Sequence, residues 1–164
     1  MNKTIPQDYS RHKNYNSIAK VYLSRYPDIN YTVLIEAEKD WLGDYYEPNY
    51  INDKNWCKMA KTLSYSYRGV ALLHTHQKQR KGGYHSPHCH LALYVPKEQQ
   101  VTFDEYINHR LKRINRKRMF RIVDSVVDEL DQSSKRNIKD ISRFVHYIFG
   151  ENRIHLPEVI WERG

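Results

Sequence analysis

The chain has 164 residues, 40% hydrophobic and 28% charged, enough for one core and short for two, so a single domain over residues 1–164 is expected. Lys and Arg number 27 against 19 Asp and Glu, a formal charge of +8 that favours polyanionic partners, nucleic acid first. No apolar stretch approaches the roughly 18 residues of a membrane span, the opening MNKTIPQDYS lacks the apolar segment of a secretory signal, and two cysteines, Cys57 and Cys89, are too few for a disulfide framework. A soluble cytoplasmic protein with reduced thiols is the expectation.

Residues 1–29 are polar and Tyr-rich, with IAKVYL as a candidate helix. The β-branched and aromatic run Tyr31–Ala37 predicts a buried strand that ends among charges including Glu36 and Glu38. Trp56, Met59, Ala60 and Leu63 recur at helical spacing and predict a helix from about Asp53 to Ser64. Gly69–His76 and Pro87–Val95 read as two further strands, joined by the basic loop QKQRKGGYHS. After Pro96, Thr102 and Glu105 have capping-box spacing and predict a helix start there. Helical periodicity runs from Phe103 through Ile114 and on through Val123, Val127 and Leu130, as one helix or as two pieces broken near Asn115. A last helix of about Asp140 to Phe149 is closed by Gly150, and PEVIWE suits one more strand. The element order predicts an α+β domain with a central antiparallel sheet and helices packed on one face.

Five of the nine histidines, His74, His76, His85, His88 and His90, fall within seventeen consecutive positions. Strand alternation puts His88 and His90 on one face, with Cys89, Leu91, Leu93 and Val95 on the other. It likewise puts His74 with His76, opposite Ala71 and Leu73. If the two strands pair antiparallel, facing Cβ atoms lie about 4.5–5.5 Å apart and up to four imidazoles converge on one ion. Imidazoles mixed with a carboxylate or water suit a Lewis-acid divalent metal, and Glu36 or Glu38 offers the carboxylate. The plainer alternative is that several of these histidines are solvated or hydrogen-bonded loop residues.

The segment Pro87-His88-Cys89-His90-Leu91-Ala92-Leu93-Tyr94-Val95 resembles the second motif of the HUH endonucleases, two histidines around a hydrophobic residue in an apolar strand. Leu72-Leu73-His74-Thr75-His76 is similar to the preceding strand of rolling-circle replication initiators, and Ser142-Arg-Phe-Val-His-Tyr-Ile148 resembles their third motif, so that the likeness spans about residues 31–150. The resemblance implies an HUH/RRM-like palm and a metal-dependent nickase and strand transferase acting at a replication origin on single-stranded or hairpin DNA. It implies Mn or Mg held by His88 and His90 with His74, His76 or Glu36, and Tyr147 as the nucleophile. Phe144 stands in register with the tyrosine of one plasmid-type pattern, and relaxase-like members place theirs near the N-terminus, where Tyr9 and Tyr15 lie. Tyr94, on the histidine strand, and Tyr106, on an apolar helical stripe, are more economically core residues.

From Arg110 to Arg121 seven of twelve residues are Lys or Arg. Such a run is often only a solvated face. With Lys78, Arg80 and Lys81 in the loop beside the histidines, however, Arg110, Lys112, Arg113, Arg116 and Lys117 become candidates for phosphate contact, salt-dependent and indifferent to sequence. A non-catalytic nucleic-acid-binding module with a structural metal is the alternative. A metal-independent phosphoesterase ranks last, because neither histidine pair has Thr or Ser at the offset that chemistry requires.

Overall fold

A computed structural model describes residues 24–38, 51–74, 87–114, 119–123, 134, 136–138, 141–148 and 157–164, the side chains of residues 142, 143, 146 and 147 excepted. The elements are β1 (Tyr31–Ala37), α1 (Asp53–Leu63), β2 (Gly69–His74), β3 (His88–Leu93), α2 (Lys97–Ile114), β4 (Phe120–Val123), α3 (Ile141–Ile148) and β5 (Glu158–Arg163). The strands form one antiparallel sheet in the order β4-β1-β3-β2-β5. Because β3 lies between β1 and β2, the first four strands and two helices have the split βαβ arrangement of ferredoxin-like domains. The α+β class and the central antiparallel sheet are as expected.

Alternation along the strands divides the molecule into two apolar layers. Tyr31, Val33, Ile35, Ala71, Leu73, Cys89, Leu91 and Leu93 pack with Trp56, Met59, Ala60 and Leu63 of α1 and with Phe103, Ile107 and Leu111 of α2. Edge-on ring contacts at 4.8 Å between Trp56 and Phe120, and at 5.3 Å between Tyr31 and Phe103, tie both helices to the sheet. The intervening residues Val70, Leu72 and Ala92 face the other way and are covered by Phe144, Val145 and Ile148 of α3. That second face also carries the histidines.

Gly69 sets the register between β2 and β3. A Cβ there would lie 2.1 Å from the Ala92 carbonyl oxygen, so only glycine lets the strands meet with Gly69 opposite Leu93 and, five residues on, His74 opposite His88.

Two expectations are corrected. The long helix begins at Lys97, and Thr102 lies inside it rather than at its start. The start is fixed instead by buried Gln100, whose Nε2 donates to the Val95 carbonyl at 3.0 Å while its Oε1 accepts from Asn137 at 2.9 Å. The long helix ends at Ile114, in agreement with the break near Asn115, but Phe120–Val123 is a strand paired with Leu34–Ala37, not a second helical piece. β2 is described as far as His74 and β3 from His88, and the expectation for His76 lies outside the described residues. Residues 75–86, 115–118 and 124–133 lie outside the described residues, as do Tyr9 and Tyr15.

Candidate metal centre

The pairing of β2 with β3 places His74 directly opposite His88, and His90 follows two residues along the same face. The rings of His74 and His88 stack at 4.9 Å with an 18° interplanar angle. The His90 ring stands edge-on to both, at 5.3 Å from His74 and 5.4 Å from His88. His74 and His90 are 3% exposed and His88 9%, so the cluster opens to solvent mainly along His88.

One ligand nitrogen from each ring lies within 4.8 Å of the others, and these three histidines could hold a metal ion. Nitrogens bound to one ion at about 2.1 Å in tetrahedral geometry are about 3.4 Å apart, so the widest pair needs to close by roughly 1.4 Å. Rotation about the side-chain torsions supplies that without moving the strands. Three imidazoles from two adjacent strands also leave part of the coordination sphere open for water or substrate oxygen.

The surroundings of the cluster are asymmetric. Cys89, between His88 and His90, points into the opposite layer and is fully buried, and burial pushes its thiol far above the ordinary range despite a backbone hydrogen bond. It is therefore neither a ligand nor a reactive thiol. Ellman's reagent at pH 8 is expected to titrate Cys57, which is partly exposed, well before Cys89, with two thiols appearing together only in denaturant. Equal labelling rates in the native protein would contradict this packing.

On the other side of His88 the sheet places Glu36, its cross-strand partner in β1. The Glu36 carboxylate accepts from the Arg121 guanidinium of β4. Phe144 of α3 presents its ring edge-on to His90 at 6.4 Å and is 2% exposed. Tyr147 lies in α3 one turn beyond Phe144, and its side chain is outside the described residues. Residues three apart on a helix are surface neighbours. Ile141, Phe144, Val145 and Ile148 form the apolar stripe that the periodicity predicts.

Tyr106 packs on the α2 side of the sheet, away from the histidines. Tyr94 lies beyond the opposite end of β3, roughly 20 Å from His88 by strand rise, beneath the Arg68 guanidinium at 4.8 Å. Neither reaches the cluster, in keeping with a packing role.

The basic run is not one helix face. Arg110, Lys112 and Arg113 occupy the last turns of α2, with Lys112 and Arg113 exposed, and Arg121 sits in β4. Phe120 pairs with Ala37, so the chain leaving α2 rejoins the sheet at the end where the histidines lie. His76, Lys78, Arg80, Lys81, Arg116 and Lys117 are outside the described residues. The partnership of Arg121 with Glu36 was not anticipated; the alternation of Phe120 and Ile122 with Arg121 and Val123 is the local signal for it.

A polar clamp fixes the approach to α3. Asp104 of α2 accepts from the Tyr31 hydroxyl at 2.5 Å, from Ser134 at 2.9 Å and from Arg136 at 3.2 Å. Arg136 also reaches Asn108 at 3.3 Å. The Ile138 amide donates to the Asn30 carbonyl at 2.6 Å, so residues 134 and 136–138 are held against β1 and α2 ahead of α3. Desolvation and the acceptor Asp104 push the Tyr31 hydroxyl well above its usual range, which keeps it a donor.

Comparison with protein-family models, with curated proteins and with solved structures finds no match to this chain.

Proposed function

We propose that this chain is a metal-dependent single-stranded DNA nickase and strand transferase of replication-initiator type. The observation that carries the reading is the convergence of His74, His88 and His90 on the sheet face that α3 also covers. The resemblance of the histidine strand and of Ser142–Ile148 to HUH motifs supports it, as does the basic end of α2 at the same end of the sheet.

Imidazole ligands favour Mn over Mg, whose preference is for oxygen. When bound, the ion supplies Lewis-acid polarisation of the scissile phosphate. His74, His88 and His90 would hold it. Tyr147 attacks phosphorus through its phenolic oxygen: the new bond joins that oxygen to the 5′-phosphate, the bond to O3′ breaks, and the phenolic proton leaves through solvent as the 3′-hydroxyl forms. The phosphodiester energy is retained, so a free 3′-hydroxyl can reverse the step and join strands. Arg110, Lys112 and Arg113 contribute phosphate attraction that weakens with salt.

The packing of Phe144 against His90 favours a second reading, a nucleic-acid-binding module whose metal is structural. Here the residue touching the histidine carries no hydroxyl. Incubation with Mn2+ and a library of single-stranded and hairpin oligonucleotides separates the two. A nickase cleaves with Mn2+, is silent in EDTA, and loses cleavage but not binding in Tyr147→Phe. A binding module cleaves nothing in either form. Cleavage that appears only in Phe144→Tyr would assign the nucleophile position to residue 144 and the wild-type chain to the binding class.

A further inference from the structure

The register of the sheet lines up four side chains in one row across the histidine face. Arg121 of β4 faces Glu36 of β1, Glu36 faces His88 of β3, and His88 faces His74 of β2. Directly opposed residues in an antiparallel pair have Cβ atoms about 4.5–5.5 Å apart, so Glu36 has a guanidinium on one side and an imidazole on the other within the reach of one side chain. In this structure its carboxylate is turned to Arg121.

That pair is weakly held. The Arg121 side chain is 46% exposed and that of Glu36 18%, and an ion pair so open to water resists separation by a factor of about five at most. Three neutral imidazoles, by contrast, bring no charge to balance a dication, and the carboxylate that the ladder sets beside them is Glu36. The competition between guanidinium and ion for one carboxylate favours the ion once it is seated.

We infer that Glu36 is a shared acceptor, holding Arg121 in the metal-free protein and turning to an ion bound at His74, His88 and His90, which releases the Arg121 guanidinium for a DNA phosphate. The inference rests on the metal-site reading above. Arg121 lies two strand spacings, about 10 Å, from His88, so the phosphate it meets neighbours the one at the histidines rather than being the same one. Arginine suits that task, because its planar fork accepts phosphate in bidentate fashion. Metal loading and DNA binding are then coupled through a single carboxylate, and the coupling is reciprocal.

The test is a double-mutant cycle on Mn2+ affinity, read by calorimetry on the full chain. Glu36→Gln is expected to weaken Mn2+ binding about tenfold. Arg121→Gln is expected to tighten it two- to fivefold by removing the competitor. The double variant should match Glu36→Gln, since Arg121 acts only through the carboxylate. Arg121→Lys, which keeps a cation and the fold, should stay near wild type. In a Tyr147→Phe background, Arg121→Gln should lower the affinity for a fluorescent single-stranded oligonucleotide in Mn2+ but not in EDTA.

Unchanged or weakened Mn2+ binding in Arg121→Gln overturns the inference while leaving the histidine site standing, and so does an oligonucleotide affinity that falls equally in Mn2+ and EDTA. A wild-type chain that takes up no Mn2+ overturns both. Opposite-signed shifts in a protein that cleaves no DNA sustain the inference and overturn only the nickase.

Discussion

Replacing His88 by alanine is expected to lower Mn2+ affinity at least about a hundredfold, the upper end of what losing a mere supporting partner costs. His88 is stacked on His74 and edge-on to His90 in a nearly equilateral triangle of rings, so its loss leaves only two ligand nitrogens, one on each strand. It is also the most exposed of the three at 9%, and its removal should cost little folding stability. Calorimetric titration with Mn2+, paired with a thermal melt, checks both statements. Affinity within a few-fold of wild type would show that the ion, if bound, sits elsewhere.

The second large effect is on stability. Asp104→Ala removes the acceptor for Tyr31, Ser134 and Arg136 at once, and Arg136 is only 8% exposed. A buried guanidinium deprived of its carboxylate, together with two hydroxyls left without their acceptor, should cost about 2–4 kcal/mol, discounted because the Asp104 side chain is itself a quarter exposed. For a chain of this size that corresponds to a melting temperature lower by roughly 5–15 °C. Hydrogen exchange should report the loss first in residues 136–148, since the clamp precedes α3, whereas the amides of β1 and β3 should keep most of their protection. A shift under about 2 °C would mean that the clamp is replaced by water without penalty.

These two residues also mark what could and could not be read from the chain alone. The histidine alternation is local, and strand period alone puts His88 with His90 and turns Cys89 away. β1 and α1 are equally local, carried by a β-branched run and by a single apolar stripe. The register is different. That Glu36 stands between His88 and Arg121 depends on β3, β1 and β4 meeting with the right offset, and Arg121 is 85 residues from Glu36 in sequence.

The misreading of β4 has the same origin. Phe120, Val123, Val127 and Leu130 satisfy a helical period, and four residues of strand are too short to assert a period of two against it. What makes FRIV a strand is the open edge of β1, a partner 85 residues away. Likewise Thr102 and Glu105 have the spacing of a capping box, but Gln100 bonding back to Val95 starts the helix a turn and a half earlier, and that bond depends on Asn137 from a distant segment. Local chemistry wrote the side-chain pattern of the site. Long-range pairing decided which charges stand beside it.

The reading joins these parts in one sequence of causes. A glycine-permitted register stacks two histidines across β2 and β3, strand alternation adds the third, and the polar clamp seats α3 over the same face. Function follows if a phenol from that helix reaches phosphorus beside the ion.

The most direct measurement is therefore mass spectrometry of tryptic peptides after the protein has reacted with Mn2+ and a cleavable single-stranded oligonucleotide. The account predicts a nucleotide adduct on the peptide containing Tyr147, absent in EDTA and absent from His88→Ala. DNA cleavage with no covalent peptide, or an adduct on any other tyrosine, would contradict it.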